Sequence, residues 1–305
     1  MRKTKILIGA LIGLLFFTVS IVWIRMFYTL KAEEYLEQMK TVICVKINDA
    51  EDGTMVVKEI CLDDCGENLI SYNEDKQTLL YINQKRKLIE RDINGEISYN
   101  AVVLRYNDLQ NDKFSNIYNL QYMPADNEIS FICNHSLYCF DCIKDQSYKL
   151  IESCAGSTWC NTYWLQSAEE IYFIDYDKDQ QQKNLYFQDK QHEKRLVEKG
   201  IESFCVSSDG TKLYCIQGYI VPNIFGFNTK HRIIEVDLLH DRNRILREIS
   251  SDNFILRNVD NKFLLYVEES NEREMVKVFQ LDLESGKTKC IYRTNRKVVG
   301  IVIGD

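Results

Sequence analysis

The sequence predicts an all-β protein: a six-bladed β-propeller of four-stranded blades, preceded by one N-terminal transmembrane helix. Three observations predict it. A short strand-like motif ending in Asp recurs along the chain, a second strand-like motif precedes most of its copies, and a long apolar segment lies near the N-terminus.

The apolar segment has the length of a membrane span. No charged residue occurs between Ile6 and Ile24, and about 19 residues of helix cover roughly 28 Å, close to the thickness of the hydrocarbon core. Aromatic residues suited to the membrane interface follow at Trp23 and Phe27. The run ends in "SIVWIRMFY", which has no small-x-small pair before Arg25, so an uncleaved anchor is predicted, with a cleaved signal peptide as the alternative.

Charge sets the predicted orientation and domain boundaries. Residues 1–5 are basic and are expected in the cytoplasm, followed by a transmembrane helix (6–26), a juxtamembrane stalk (27–41) and an extracytoplasmic propeller (42–305) in the cell membrane. Setting aside the four basic residues up to Arg25 changes the formal net charge from −7 to −11, which disfavours nucleic acid as a partner. Gly9 and Gly13 form a Gly-x-x-x-Gly pattern that predicts a homodimer through the helix.

The Asp-ended motif repeats at intervals of 43 to 49 residues. Its copies end at Asp49, Asp92, Asp141, Asp189, Asp237 and Asp282. The second motif occurs at 79–82, 129–132, 171–174, 213–216 and 264–267. Both motifs are short, rich in β-branched and aromatic residues, and bounded by turn formers, which indicates strands.

Strands repeating at this period are typical of propeller blades. The Asp-ended motif has six copies and the second motif five, and the tail "RKVVGIVIGD" supplies further strand material. The hairpin at about 42–62 is therefore expected to share the last blade with the C-terminal strand, which closes the ring and removes exposed sheet edges.

Two segments resemble the TolB-type propellers and the related N-terminal propeller of the dipeptidyl-peptidase IV class. "SSDGTKLYCI" (207–216) is similar to their Ser-Pro-Asp-Gly turn and strand, with Ser208 at the proline position, and "FIDYDKDQQQKNLYFQD" (173–189) to their acidic turn and Leu-Tyr-x-x-Asp strand. The resemblance implies a propeller over residues 42–305, whereas its function stays open because such rings have many roles.

The carboxylates have two interpretations. Each Asp that ends a strand is expected to accept backbone N–H bonds in the following turn. Asp175, Asp177 and Asp179 alternate as at the start of a calcium loop, but Gln180 and Tyr186 replace the Gly and Glu of an EF-hand. A calcium site and a solvent-exposed acidic turn are the alternatives here, and no other cofactor is predicted.

Eleven cysteines suit an oxidising exterior, and because the number is odd at least one thiol is free or pairs between chains. Cys205 and Cys215 flank a turn and are expected to face each other across a hairpin. The disulfide candidates are Cys61, Cys65, Cys154, Cys160, Cys205 and Cys215. The alternative is buried free thiols that pack as small hydrophobes.

The longest connection inside a blade, residues 217–232, is apolar. It is expected to open on the same face as the blade-to-blade loops, which makes it a partner surface or ligand lid, or else a lengthened hairpin folded back on its own blade. The residues assigned to this binding face are Tyr219, Ile220, Ile224, Phe225, Phe227, Trp159, Asp63 and Asp64.

The predicted function is a binding, scaffold or sensor module for a protein or envelope ligand. No nucleophile, zinc or phosphate-loop motif occurs in the sequence. A propeller hydrolase or lyase for glycans or peptides, with two carboxylates in the central channel, is the alternative. A structural component of a membrane complex is the third hypothesis.

Overall fold

The computed structural model of the chain describes residues 40–49, 54–62, 65–73, 77–83, 88–93, 117–123, 128–141, 143–144, 146–152, 154, 162–165, 169–223, 226–250, 255–270 and 275–304. Residues 40–305 form one compact unit. The predicted transmembrane helix, with Gly9 and Gly13, and the stalk up to residue 39 lie outside the described residues. No described helix is long and apolar enough to cross a membrane.

The strands follow one another in groups along the chain. A first hairpin comprises β1 (Lys40–Asp49) and β2 (Thr54–Leu62). The next group is β3 (Cys65–Asn73), β4 (Thr78–Asn83) and β5 (Leu88–Asp92), followed by β6 (Ile117–Tyr122), β7 (Glu128–Cys133), β8 (Ser136–Asp141) and β9 (Gln146–Ile151). Then come β10 (Thr162–Trp164), β11 (Ile171–Asp177), β12 (Gln182–Gln188) and β13 (Lys194–Lys199).

Two further groups and a last strand complete the described part. They are β14 (Ile201–Val206), β15 (Lys212–Asn223), β16 (Gly226–Asp237) and β17 (Arg242–Ile249), then β18 (Leu256–Val259), β19 (Phe263–Ser270), β20 (Met275–Asp282) and β21 (Thr288–Thr294), and finally β22 (Lys297–Gly304). Within each group every strand is antiparallel to the next.

Five blades are therefore built from consecutive strands: β3–β5, β6–β9, β10–β13, β14–β17 and β18–β21. The two ends of the described chain form one more sheet in the order β2-β1-β22, with β22 parallel to β1. The prediction of six four-stranded blades is wrong: five blades are built from consecutive strands, one of them (β3–β5) has three described strands, and the closing sheet has three described strands of mixed direction. The sequence pattern identifies strands but does not say which strand pairs with which. The all-β propeller itself, closed by its two ends, is confirmed.

The core lies between neighbouring sheets. Six buried apolar clusters each join residues of two adjacent sheets, and one of them brings Ile43 of β1 together with Val278 of β20 and Val298 of β22. Since the central strands are covered on both faces, they read as continuous apolar runs. Tyr214, Cys215 and Ile216 are all buried, for example.

The two ends of the ring differ. At one end, here called the Asp-turn end, the carboxylate that ends the third strand of a blade accepts N–H bonds from the following turn, as predicted. Asp141 Oδ1 accepts from Ile143 N and Lys144 N, both at 3.0 Å. Asp189, Asp237 and Asp282 make equivalent bonds. The opposite end, here called the hairpin end, carries the connection between β15 and β16 and the starts of the innermost strands.

Candidate interaction surface

A two-stranded ribbon extends from the hairpin end of the fourth blade. β15 and β16 pair without a break from Lys212↔Asp237 to Asn223↔Gly226. Pairing of β15 with β14 reaches only Gln217, and pairing of β16 with β17 reaches only His231. Residues 218–223 and 226–230, here called the ribbon, therefore pair with each other and with no third described strand. Six residues on one strand and five on the other give a ribbon about 20 Å long.

This pairing bears on one of the alternatives for residues 217–232. The segment is a lengthened hairpin, but its pairing shows no fold back onto the blade. Ile220, Val221 and Thr229 are β-branched and favour the extended conformation on both strands. The ribbon places Tyr219, Ile220 and Phe227 on one element, whereas Ile224, Phe225, Trp159, Asp63 and Asp64 lie outside the described residues.

The ribbon has two unlike faces, because residues directly opposite each other in an antiparallel pair lie on the same face. Tyr219 and Val221 share one face with Lys230 and Asn228. The opposite face carries Ile220 and Pro222 together with Thr229 and Phe227.

The Tyr219 face is fixed at its base by polar contacts. Tyr219 donates a hydrogen bond to Glu248 Oε1 at 2.8 Å, and the Arg232 guanidinium lies 5.0 Å from the centre of the tyrosine ring. Arg232 Nε donates to Gln217 Oε1 at 2.9 Å, and Gln217 Nε2 donates in turn to the carbonyl of Lys199 at 2.9 Å. The hydrogen bond to Glu248 raises the pKa of Tyr219 above its usual value. These contacts hold the root of the ribbon to the rest of its blade and to the preceding blade.

Two glycines let the chain pass closely at the same root. Gly218 N donates to the carbonyl of Gly200 at 2.8 Å. Gly200 has φ +70°, and a Cβ placed there would lie 2.8 Å from Gly218 O. A side chain at this position would meet both a strained backbone and a backbone atom that cannot move aside.

The Ile220 face is open to solvent. Ile220 is 70% exposed and Phe227 is 76% exposed, and Pro222 between them is exposed as well. Strands that bury one face alternate apolar and polar residues, but here both the polar and the apolar face project beyond the blade. The ribbon thus presents a narrow apolar surface on a firmly held base.

The acidic turn between β11 and β12 uses its carboxylates within the fold. Asp175 forms an ion pair with Lys194 at 2.7 Å. Asp177 Oδ1 accepts hydrogen bonds from Asp179 N at 2.9 Å and Gln180 N at 3.1 Å. Among the described residues, no group of three or more His, Cys, Asp or Glu side chains is arranged to hold a metal ion.

Few carboxylates occur on the innermost strands whose side chains the structure describes. Of the described side chains on β6, β10, β14, β18 and β22, one is a carboxylate, Glu202. It forms an ion pair with Lys183 at 2.5 Å. Asn119 and Gln121 on β6 instead bond to Thr162 on β10 and tie two blades together.

Comparison with known proteins bears on the fold. No family model matches the chain, and no curated protein matches it. Among solved structures, TolB from Acinetobacter baumannii is similar with 11% identity and a TM-score of 0.58, covering 81% of this chain and 61% of that one. The putative TolB from Agrobacterium tumefaciens has 11% identity and a TM-score of 0.58, covering 85% and 94%. A chain of a nidogen/laminin complex has 11% identity and a TM-score of 0.55, covering 80% and 87%.

The fold is a TolB-like β-propeller. This confirms the resemblance that the sequence predicted, at the level of fold. The chain spans about three fifths of the Acinetobacter TolB, whose length is therefore not matched throughout.

Six described cysteine side chains of the TolB-like propeller are free thiols: Cys44, Cys61, Cys139, Cys154, Cys215 and Cys290. Cys205 lies opposite Tyr214, so Cys215 points to the other face of the sheet and packs in a different apolar cluster. The expectation that these two face each other is wrong. The side chains of Cys65 and Cys160, the other halves of the remaining candidate pairs, lie outside the described ones.

Sequence reasoning missed the residues that hold the ribbon. Gln217, Arg232 and Glu248 become neighbours only once β15, β16 and β17 are paired in register. The stretch 219–222 is continuously apolar and has no period-2 pattern, so the sequence offered no signal for these contacts.

Proposed function

We propose that this TolB-like propeller is a membrane-anchored, extracytoplasmic binding module that recognises a protein or envelope ligand through its hairpin end. The observation that carries the proposal is the ribbon, with Ile220 and Phe227 more than two thirds exposed on one face. Soluble proteins seldom leave such residues together on a projecting element unless another surface covers them.

The energetics favour a binding role for this surface. Full burial of an Ile or Phe side chain contributes about 1.5–3 kcal/mol. The contacts of Tyr219, Arg232 and Gln217 hold the base of the ribbon before any ligand arrives. Less conformational entropy is then lost on binding, so more of the burial energy remains as affinity.

Other observations support the remaining parts of the proposal. The apolar segment at 6–26 and its flanking charges support an anchor with the propeller outside the cell. One similar structure is that of a nidogen/laminin complex, so a similar ring occurs in a protein assembly. The Gly9 and Gly13 pattern supports pairing of two copies within the membrane.

The test compares two matched double variants of the full chain in its native membranes. The first, Ile220→Ser with Phe227→Ser, removes the apolar face of the ribbon. The control, Ile143→Ser with Leu239→Ser, replaces two residues of similar exposure, 75% and 71%, at the Asp-turn end. After cross-linking and solubilisation, the co-purified proteins, glycans and lipids are quantified by mass spectrometry.

We expect a bound component that is retained by the parent and the control and lost several-fold by the ribbon variant. The unfolding temperatures of all three proteins should agree, because the substituted side chains are exposed in the parent. If the ribbon variant retains every component that the parent retains, the ribbon is not the binding surface.

A further inference from the structure

The start of β1 and the ribbon lie at the same end of the ring. β22 lies against β18 and β3, the first strands of the neighbouring sheets, and is therefore an innermost strand. Lys40 pairs with Lys297 in parallel, so β1 and β22 begin together. In a propeller the innermost strands all run the same way because the blades repeat radially. β14 begins where it pairs with Gln217, at the root of the ribbon. Lys40 thus enters the ring at the hairpin end.

Chain length then limits how far this end can be from a bilayer. The predicted anchor ends at residue 26, which leaves residues 27–39 before β1. About 13 residues reach at most roughly 45 Å when extended and about 20 Å when helical. The ribbon extends about 20 Å toward the same side. A membrane that holds the anchor is therefore within reach of the ribbon tip.

The order of residues along the ribbon matches the layers of a membrane surface. Farthest from the blade, Asn223 is paired with Gly226 and Pro222 with Phe227. Toward the blade come the pairs Val221–Asn228 and Ile220–Thr229, then Tyr219–Lys230, and last Gln217 with Arg232. Apolar residues, then Tyr, then cations is the order found from the acyl boundary to the headgroups.

We propose that the ligand of the ribbon is the outer leaflet of the membrane that anchors the chain, with the apolar tip of the ribbon seated in the headgroup–acyl boundary. This inference rests on the proposed function and names the ligand of that site. It makes the ribbon a second membrane contact, which fixes the hairpin end against the bilayer and leaves the Asp-turn end facing outward.

The backbone of the ribbon limits the depth of insertion. Both of its edges lack a neighbouring described strand, so their outward N–H and C=O groups need water or headgroups. Such edges are not tolerated in the hydrocarbon core, whereas shallow insertion of about 5–10 Å is typical of interfacial segments. The rows from Ile220 to the turn span about that depth at roughly 3.3 Å per residue.

Photocross-linking of the full chain tests the proposal. Benzoylphenylalanine is incorporated in place of Phe227, and in a matched control in place of Leu239, which is 71% exposed at the other end of the same blade. Each protein is reconstituted in vesicles of phosphatidylethanolamine and phosphatidylglycerol and irradiated, and lipid adducts are measured by mass spectrometry. The same probes are irradiated in whole cell envelopes.

We expect several-fold more lipid adduct at position 227 than at position 239, in vesicles and in envelopes. The change Ile220→Asp in the 227-probe protein should lower the adduct several-fold while circular dichroism stays the same. Equal lipid adducts at both positions would overturn the proposal. A protein adduct at 227 in envelopes, without a lipid adduct in vesicles, would overturn the bilayer as ligand and leave the binding module intact. No adduct in either setting would overturn both.

Discussion

At the scale of single residues, the recurring aspartates are structural. Four of them, Asp141, Asp189, Asp237 and Asp282, each accept two backbone N–H bonds from the following turn, which the fold would otherwise leave to solvent. Hydrogen bonds from the turn lower the pKa of Asp282, and bonds from Lys144 lower the pKa of Asp141 in the same way. Hydrogen bonds from the His240 side chain and from the turn amides lower the pKa of Asp237. The carboxylates therefore stabilise the folded state in their charged form.

A pH dependence of stability follows from these shifts. Because the folded pKa is depressed, the contribution is complete above the unfolded value of about 4 and is lost as pH falls toward the folded pKa. We expect Asp282→Asn to lower the unfolding temperature at about pH 6, and the difference from the parent to shrink toward about pH 3. Thermal unfolding followed by circular dichroism at several pH values measures both. Asp179→Asn, at an exposed turn position, is the control, and a gap that stays constant with pH would contradict the assignment.

Residue identity alone predicted the turn role of these aspartates but not the environment of the cysteines. Asp after a strand and before a polar turn has one favourable local use. Whether Cys205 meets Cys215 depends instead on the register of β14 against β15, and a shift of one residue moves a side chain to the other face. The register pairs Cys205 with Tyr214, which the spacing of the cysteines does not reveal.

At the scale of elements, the ribbon is a strand pair in a segment whose Pro and Gly residues predict a loop. Pro222 and two glycines within residues 217–232 are typical of a loop, yet the segment is strand up to Asn223 and again from Gly226. Proline is accepted at strand positions whose N–H has no partner strand, and the free edge of the ribbon provides such a position. The polar and apolar faces then follow from simple alternation.

Replacement of Gly200 is expected to destabilise the base of the ribbon. Gly200→Ala places a Cβ 2.8 Å from Gly218 O at φ +70°, whereas Gly210 has the same φ with open space around it. The left-handed conformation alone costs about 1–2 kcal/mol for alanine, so Gly210→Ala should lose that much stability. Gly200→Ala should lower the free energy of unfolding by clearly more than this. It should also weaken the backbone contact that holds the root of the ribbon.

Chemical denaturation compares the two glycine variants, and amide hydrogen exchange at Gly218 and Tyr219 reports on the root. Faster exchange is expected in Gly200→Ala alone. Equal losses of stability and equal exchange in both variants would show that the contact between Gly200 and Gly218 does not constrain the ribbon.

At the scale of the whole molecule, ring closure depends on the sheet made by the two ends. Arg296, just before β22, forms an ion pair with Glu59 of β2 and also donates to Cys61 Sγ. The Arg296 and Glu59 side chains are 28% and 15% exposed. The pair therefore links the first hairpin to the last strand in a partly dry environment.

We expect Arg296→Gln to lower the free energy of unfolding by about 1.5–3 kcal/mol, the usual range for a hydrogen bond to a charged group. Lys149→Gln is the control, because its pair with Glu152 is exposed and should be worth under about 1 kcal/mol. Urea denaturation of both variants measures the difference. Equal effects would show that closure does not depend on this contact.

The ring itself was predictable from sequence because blades repeat, and the repeat is visible in apolar runs such as 213–216 and 264–267, whose residues are buried. Which strands form the closing sheet, and in which direction, was not predictable from the sequence. Val42 and Val302 belong to β1 and β22, which pair in parallel although they lie near opposite ends of the sequence. An apolar strand sequence does not indicate whether the neighbouring strand is parallel or antiparallel.

The pairing of β1 with β22 has a consequence for the rate of folding. Partners such as Lys40 and Lys297 are about 250 residues apart in sequence, and contacts of such separation raise contact order and slow folding. The five blades of consecutive strands can form from local hairpins, while β1 and β2 must wait for β22 with their apolar side chains uncovered. An intermediate of this kind is prone to aggregate, so the closing sheet is where a chaperone would protect the nascent protein.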